Sequence, residues 1–127
     1  MILTVATKQK SILPPLLFMG LIFIMSSIPG KQGSESMLFF LKPIISNLLH
    51  IPAYGLLFIL WYRYLSNKTS RVLFYSFVIT LAIGILNELY QFLIPNRYPS
   101  IMDMMLNIVG AGLGFVIVRN LYYKAIK

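Results

Sequence analysis

No cysteine occurs in the chain, which excludes disulfides, thiolate nucleophiles and zinc ribbons. Acidic residues are scarce as well: Glu35, Glu88 and Asp103 are the whole complement in 127 residues, against 11 Lys and Arg. Charged residues make up 11% of the chain, whereas a soluble domain carries about 25%. With 58% of residues hydrophobic, too little polar surface exists to wet a globule. G-x-S-x-G, P-loop and HExxH patterns are all missing, and no metal motif of fixed spacing occurs. Neither a metal nor another cofactor is therefore implied. The net charge of +8 would raise nucleic acid as a partner in a soluble chain. Here Lys and Arg sit mainly at the ends of apolar runs, not in one stripe. That placement points to topology signals and contacts with anionic membrane lipids, and no nucleic-acid partner is expected.

What the chain has instead is long apolar runs. A helix crossing the hydrocarbon core needs about 20 residues. Four segments qualify, at about 11–28, 43–64, 72–94 and 101–122. Loops and tails are all that remains, so the expected architecture is all-α: one polytopic membrane domain over 1–127, four transmembrane helices in a compact antiparallel bundle. The first run could be taken for a signal peptide, since Lys8 and Lys10 precede it and SSIPG follows. Its apolar part is long for such a leader, and Pro29 makes a poor cleavage site, so a retained helix is expected.

Orientation follows the Lys and Arg count in the loops. Lys8, Lys10, Arg63, Lys68, Arg71, Arg119, Lys124 and Lys127 fall on one side; Lys31, Lys42 and Arg97 fall on the other. Both termini and the Arg63–Arg71 loop are thus expected in the cytoplasm. MLFFL, within the outer loop, is too short to span and suits the interface or a plain packing anchor.

The polar residues are sorted along the spans. Ser26 and Ser27, then Asn47, His50 and Tyr54, then Asn87, Glu88 and Gln91, then Asp103 and Asn107 all fall in the outer halves. His50 and Tyr54 share a face at i, i+4, and Glu88 and Gln91 share one at i, i+3, with Gly84 a turn below. Asp103, Asn107, Gly110 and Gly114 form one stripe whose Gly110–Gly114 pair lets a neighbouring helix approach closely. The short turn PNRYPS makes the last two helices antiparallel neighbours. Glu88 and Asp103 can then face each other, with Arg97 able to reach either. Charge inside a span costs about 2.5–3.5 kcal/mol on insertion scales and usually pairs or lines a cavity.

Two readings stay open. In one, His50, Glu88 and Asp103 are acid/base candidates and Arg97, with Lys42 as helper, holds a phosphate or carboxylate. In the other, the charges are an ion-pair network pinning the hairpin, Asp103 is the N-cap of the fourth helix, Gln91 and Asn107 are interhelical glue, and Trp61, Tyr90 and Tyr98 are belt residues.

This pattern resembles the VanZ-like family of small bacterial membrane proteins. The resemblance rests on Ser27 and Pro29 as an S-x-P end to the first helix and on His50 and Tyr54 in the second. Its most specific part is the E-x-x-Q…R…S-x-x-D-x-x-x-N-x-x-G-x-x-x-G signature, which falls on Glu88, Gln91, Arg97, Ser100, Asp103, Asn107, Gly110 and Gly114. The chain departs from the family with Asn87 for an Asp, Asn47 for a Lys and Pro95-Asn96-Arg97 for Pro-Gly-Arg. The resemblance implies a multi-pass protein of the bacterial cytoplasmic membrane with an envelope role linked to low-level teicoplanin resistance; it names no reaction. Arg97, Gln91, Asn107, Tyr54, Ser100 and Ser27 are then the expected binding residues. The expected partners are membrane lipids and a lipid-linked cell-wall precursor or other anionic headgroup. A non-catalytic scaffold is the alternative, and a transporter or proton channel a third reading. Oligomeric state is open.

Overall fold

The computed structural model describes residues 10–29 and 45–126. The loop carrying Lys31, MLFFL and Lys42 lies outside them, as do Lys8 and Lys127. Within them the chain is all helical: α1 covers Leu13–Ser26, α2 His50–Leu65, α3 Val72–Gln91 and α4 Ile101–Ile126. The apolar stretch that ends as α2 begins at Ile45.

Three helices are long and apolar enough to cross a membrane, Ile45–Leu65, Val72–Gln91 and Ile101–Tyr122. α1 is a shorter apolar helix of 14 residues. At 1.5 Å per residue it reaches about 21 Å, short of a hydrocarbon core of about 30 Å. The expected span over 11–28 is trimmed at both ends for local reasons. The Ser11 hydroxyl accepts the Leu13 amide at 3.1 Å, and Pro14 and Pro15 occupy the first turn, where missing N–H groups do no harm. At the far end the last amides tighten onto Phe23 and Ile24 before Pro29 bars continuation. α3 also ends early, at Gln91 rather than Ile94, as Phe92–Ile94 close into turns.

Cross-helix contacts fix the direction of each element. Lys10 reaches Ser66, so α1 and α2 run antiparallel. Gly84 meets Tyr54 and Asn107, which sets α3 against both α2 and α4. Ser27 reaches Tyr90, placing the ends of α1 and α3 together. The result is an up-down-up-down bundle in which α2 and α4, parallel to each other, share the most extensive contact, and α1 packs on α2 and α3. Gly55, Gly110 and Gly114 explain that contact: a Cβ on Gly55 would meet the Gly110 carbonyl at 3.1 Å. The small-residue stripe therefore serves α2, not the hairpin partner α3.

The distribution of polarity is inverted relative to a soluble protein. Glycine and proline aside, the buried described residues are Ser26, Ser76, Thr80, Asn87, Glu88, Gln91, Asp103 and Asn107 against seven hydrophobics. Meanwhile Leu17, Phe92, Leu93 and Ile101 are exposed. An apolar surface so continuous needs lipid around it. Ser76 and Thr80 lie away from the polar end and satisfy themselves on their own helix, donating to the Val72 and Ser76 carbonyls at 2.7 Å each. Trp61 is buried edge-on against Tyr64 rather than placed in a belt, and Tyr90 also has a specific partner; Tyr98, 80% exposed, fits the belt reading.

The α3–α4 turn contains the one left-handed non-glycine residue among those described, Asn96 at φ 59°. Asn tolerates that region because its short side chain bonds locally. The same requirement accounts for a glycine in the Pro-Gly-Arg form of this turn.

Candidate functional site

The polar residues of α2, α3 and α4 converge at the end of the bundle where α1 and α3 finish. His50 is half-buried at the start of α2. Its Nδ1 lies 2.7 Å from the Asn107 Oδ1, and its ring stacks on Tyr54 with planes 2° apart. With the amide so oriented Nδ1 donates to the Asn107 Oδ1. The i, i+4 pair on α2 is therefore tied to the i, i+4 pair Asp103–Asn107 on α4.

Glu88 is buried at 2% exposure on α3. Its Oε2 accepts the Ser100 amide at 3.0 Å, which fastens α3 to the start of α4. Ser100 is the N-cap of α4: its carbonyl accepts the Met104 amide at 3.1 Å, and its hydroxyl accepts the Asp103 amide at 3.3 Å. The reading of Asp103 as N-cap is thus corrected. Asp103 is the third residue of the helix, where a carboxylate favours the positive end of the dipole. A capping box would give the Ser100 amide to that third-residue carboxylate; here Glu88 takes it from another helix. Ser100→Ala should lower stability by about 1 kcal/mol, read as an earlier detergent melt, because the Asp103 amide loses its acceptor.

Arg97 does something the sequence did not indicate. Its Nε donates to the Ile28 carbonyl at 3.0 Å, so the turn after α3 holds the end of α1. His50, Asp103 and Arg97 all remain within electrostatic reach of Glu88. Ser27 donates to the Phe23 carbonyl at 2.7 Å and so accepts from the Tyr90 hydroxyl 2.8 Å away. Phe23 and Tyr90 rings pack beside that bond at 5.5 Å. Tyr90 thus joins α3 to the end of α1, a contact beyond the belt reading.

Between these anchors lies a set of buried polar atoms without a hydrogen-bond partner among the described residues. They are the Tyr54 hydroxyl, both side-chain polar atoms of Asn87, Glu88 Oε1, Gln91 Nε2 and Asn107 Nδ2. The Asn87 amide lies beside the Tyr54 hydroxyl but outside hydrogen-bond geometry. Among the described residues no group of three His, Asp or Glu side chains is placed to hold a metal ion.

Residues 11–122 match the family model of VanZ/LLP1. The chain belongs to the VanZ/LLP1 family. No curated protein and no solved structure matches it. Family and fold together make it a VanZ-like membrane protein, with helices fit to lie in a bilayer. The structure also gives a spatial sense to the motifs that carry the VanZ-like resemblance. The S-x-P end of α1 docks on the turn through Ile28–Arg97 and on α3 through Ser27–Tyr90. The His–Tyr pair of α2 docks on α4 through Asn107, and Glu88 docks on Ser100. Segments far apart in the VanZ/LLP1 chain thus meet at one end. Gly55, absent from the sequence reading, packs on the same stripe; its signal was the one glycine of an apolar helix.

Proposed function

We propose that this VanZ-like membrane protein holds the polar headgroup of an envelope lipid or lipid-linked cell-wall precursor at the Glu88–Arg97–Asp103–His50 end of the bundle, and thereby alters susceptibility to glycopeptides such as teicoplanin. The observation that carries the reading is the unpartnered polar set on Tyr54, Asn87, Glu88, Gln91 and Asn107. Polar atoms in an apolar surround are costly unless something bonds them. A headgroup entering from the interface offers donors and acceptors together, which suits a set containing both. A guanidinium has five N–H donors. Arg97 commits its Nε to Ile28, so the rest of the fork can take the phosphate or carboxylate of the headgroup. His50, Glu88 and Asp103 orient the group or move a proton on it.

The scaffold reading has its own supporting observation: the Ser100-to-Glu88 bond joins two helices whether or not anything binds. Teicoplanin susceptibility separates the two. Cells carrying Arg97→Ala, Glu88→Gln or Asp103→Asn at normal membrane level should lose the effect of the wild-type protein. Arg97→Ala should weaken headgroup capture about tenfold or more, the value of charge-assisted hydrogen bonds. Unchanged susceptibility in well-expressed variants would sink the proposal. Mass spectrometry of lipids and cell-wall precursors, wild type against Glu88→Gln, would name the species.

A further inference from the structure

A second groove lies at the opposite end of the bundle, between the start of α1 and the end of α2. Its volume is about 470 Å³, with Lys10, Pro14 and Pro15 on one side and Leu60, Arg63 and Tyr64 on the other. The Lys10 ammonium crosses its mouth and donates to the Ser66 hydroxyl at 2.6 Å, and that hydroxyl donates to the Arg63 carbonyl at 3.0 Å. A third cation, Lys68, stands 4.8 Å over the Tyr64 ring. Three cations are therefore held around one groove. Among the described residues no carboxylate is available to them there: Glu88 and Asp103 sit at the other end of the bundle.

We infer that this groove binds the headgroup phosphate of an anionic phospholipid. The phosphate sits between Lys10, just ahead of α1, and Arg63 of α2, where two cations approach it from different segments, and Tyr64 covers the glycerol side. The acyl chain has a path: Pro14, Leu17 and Leu21 follow each other along α1 at helical spacing, and both leucines are exposed. A wall of that kind favours a lipid over a free anion. The site is separate from the polar end and does not depend on the function proposed for it.

Native mass spectrometry of the full chain with phosphatidylglycerol or phosphatidylcholine tests the assignment. Wild type should retain phosphatidylglycerol preferentially. The double substitution Lys10→Gln/Arg63→Gln should weaken that retention by about fivefold for each cation removed. Arg71→Gln/Lys124→Gln, with the same change in net charge but outside the groove, should leave it intact. Trp61 is the only tryptophan and packs on Tyr64 with ring centroids 5.9 Å apart. Brominated phosphatidylglycerol should therefore quench wild-type emission more than brominated phosphatidylcholine, a readout that needs no variant. Equal retention and quenching by the two lipids would overturn the proposal, as would equal losses in the two double variants. Displacement of phosphatidylglycerol by an equal concentration of inorganic phosphate would overturn the lipid and assign the groove to a soluble anion.

Discussion

Gly110→Ala is expected to destabilise the bundle by about 1–3 kcal/mol, the usual range for overpacking a close contact. The added methyl would press on the Ile51 backbone carbonyl of α2, and a main-chain atom cannot rotate away. Gly114→Ala should act in the same direction, since its Cβ would lie 2.7 Å from the Gly55 carbonyl and 3.0 Å from the Phe58 ring. Helix propensity works against this trend, because replacing a helical glycine by alanine gains up to about 1 kcal/mol. Gly112 isolates that gain. A Cβ there meets nothing within 4 Å, so Gly112→Ala should be neutral or slightly stabilising. Thermal melts followed by size exclusion in detergent measure all three on one scale. Gly110→Ala melting with Gly112→Ala would mean that α2 and α4 do not touch as described. Separation of those helices also pulls His50 from Asn107, so headgroup capture should fall along with stability.

How much of this was legible beforehand depends on the kind of residue. The stripe Asp103, Asn107, Gly110, Gly114 was readable because helical spacing alone places it on one face, and burial of all four bears that out. The end at which polar residues gather was readable from their position along each apolar run. What helical spacing cannot give is the partner. Arg97 has the Glu88 carboxylate within electrostatic reach and still gives its Nε to a main-chain carbonyl of α1. Nothing in the order of residues marks Ile28 as an acceptor, because any carbonyl at a helix end is unpaired and available. Tyr90 was misread for a similar reason: a tyrosine near an interface is usually a belt residue, and only the approach of α1 turns its hydroxyl toward Ser27. The length of α1 was overestimated because hydropathy continues through Ile28, whereas the helix stops when its last amides tighten. Propensity and apolarity run past the point at which hydrogen bonding ends an element.

Glu88 carries the second large prediction, and it is the residue that separates holding from acting. Glu88→Ala should cost about 3 kcal/mol or more. It removes the acceptor of the Ser100 amide and empties space in a site only 2% exposed. Glu88→Gln keeps an amide oxygen of the same reach, so the bond to Ser100 survives and the fold should stay within about 1 kcal/mol of wild type. Its electrostatic effect is divided, because a charge at this position attracts Arg97 and repels Asp103. The two substitutions thus part stability from chemistry at one position. Detergent melting temperature is read beside teicoplanin susceptibility in each. A folded Glu88→Gln that has lost the phenotype assigns the carboxylate a role in binding or proton movement. A folded Glu88→Gln with the phenotype intact, beside an unstable Glu88→Ala, assigns it to the hairpin alone. The contact between Glu88 and Ser100 predicts only the alanine result; the unpartnered Oε1 is the reason to expect the glutamine result as well.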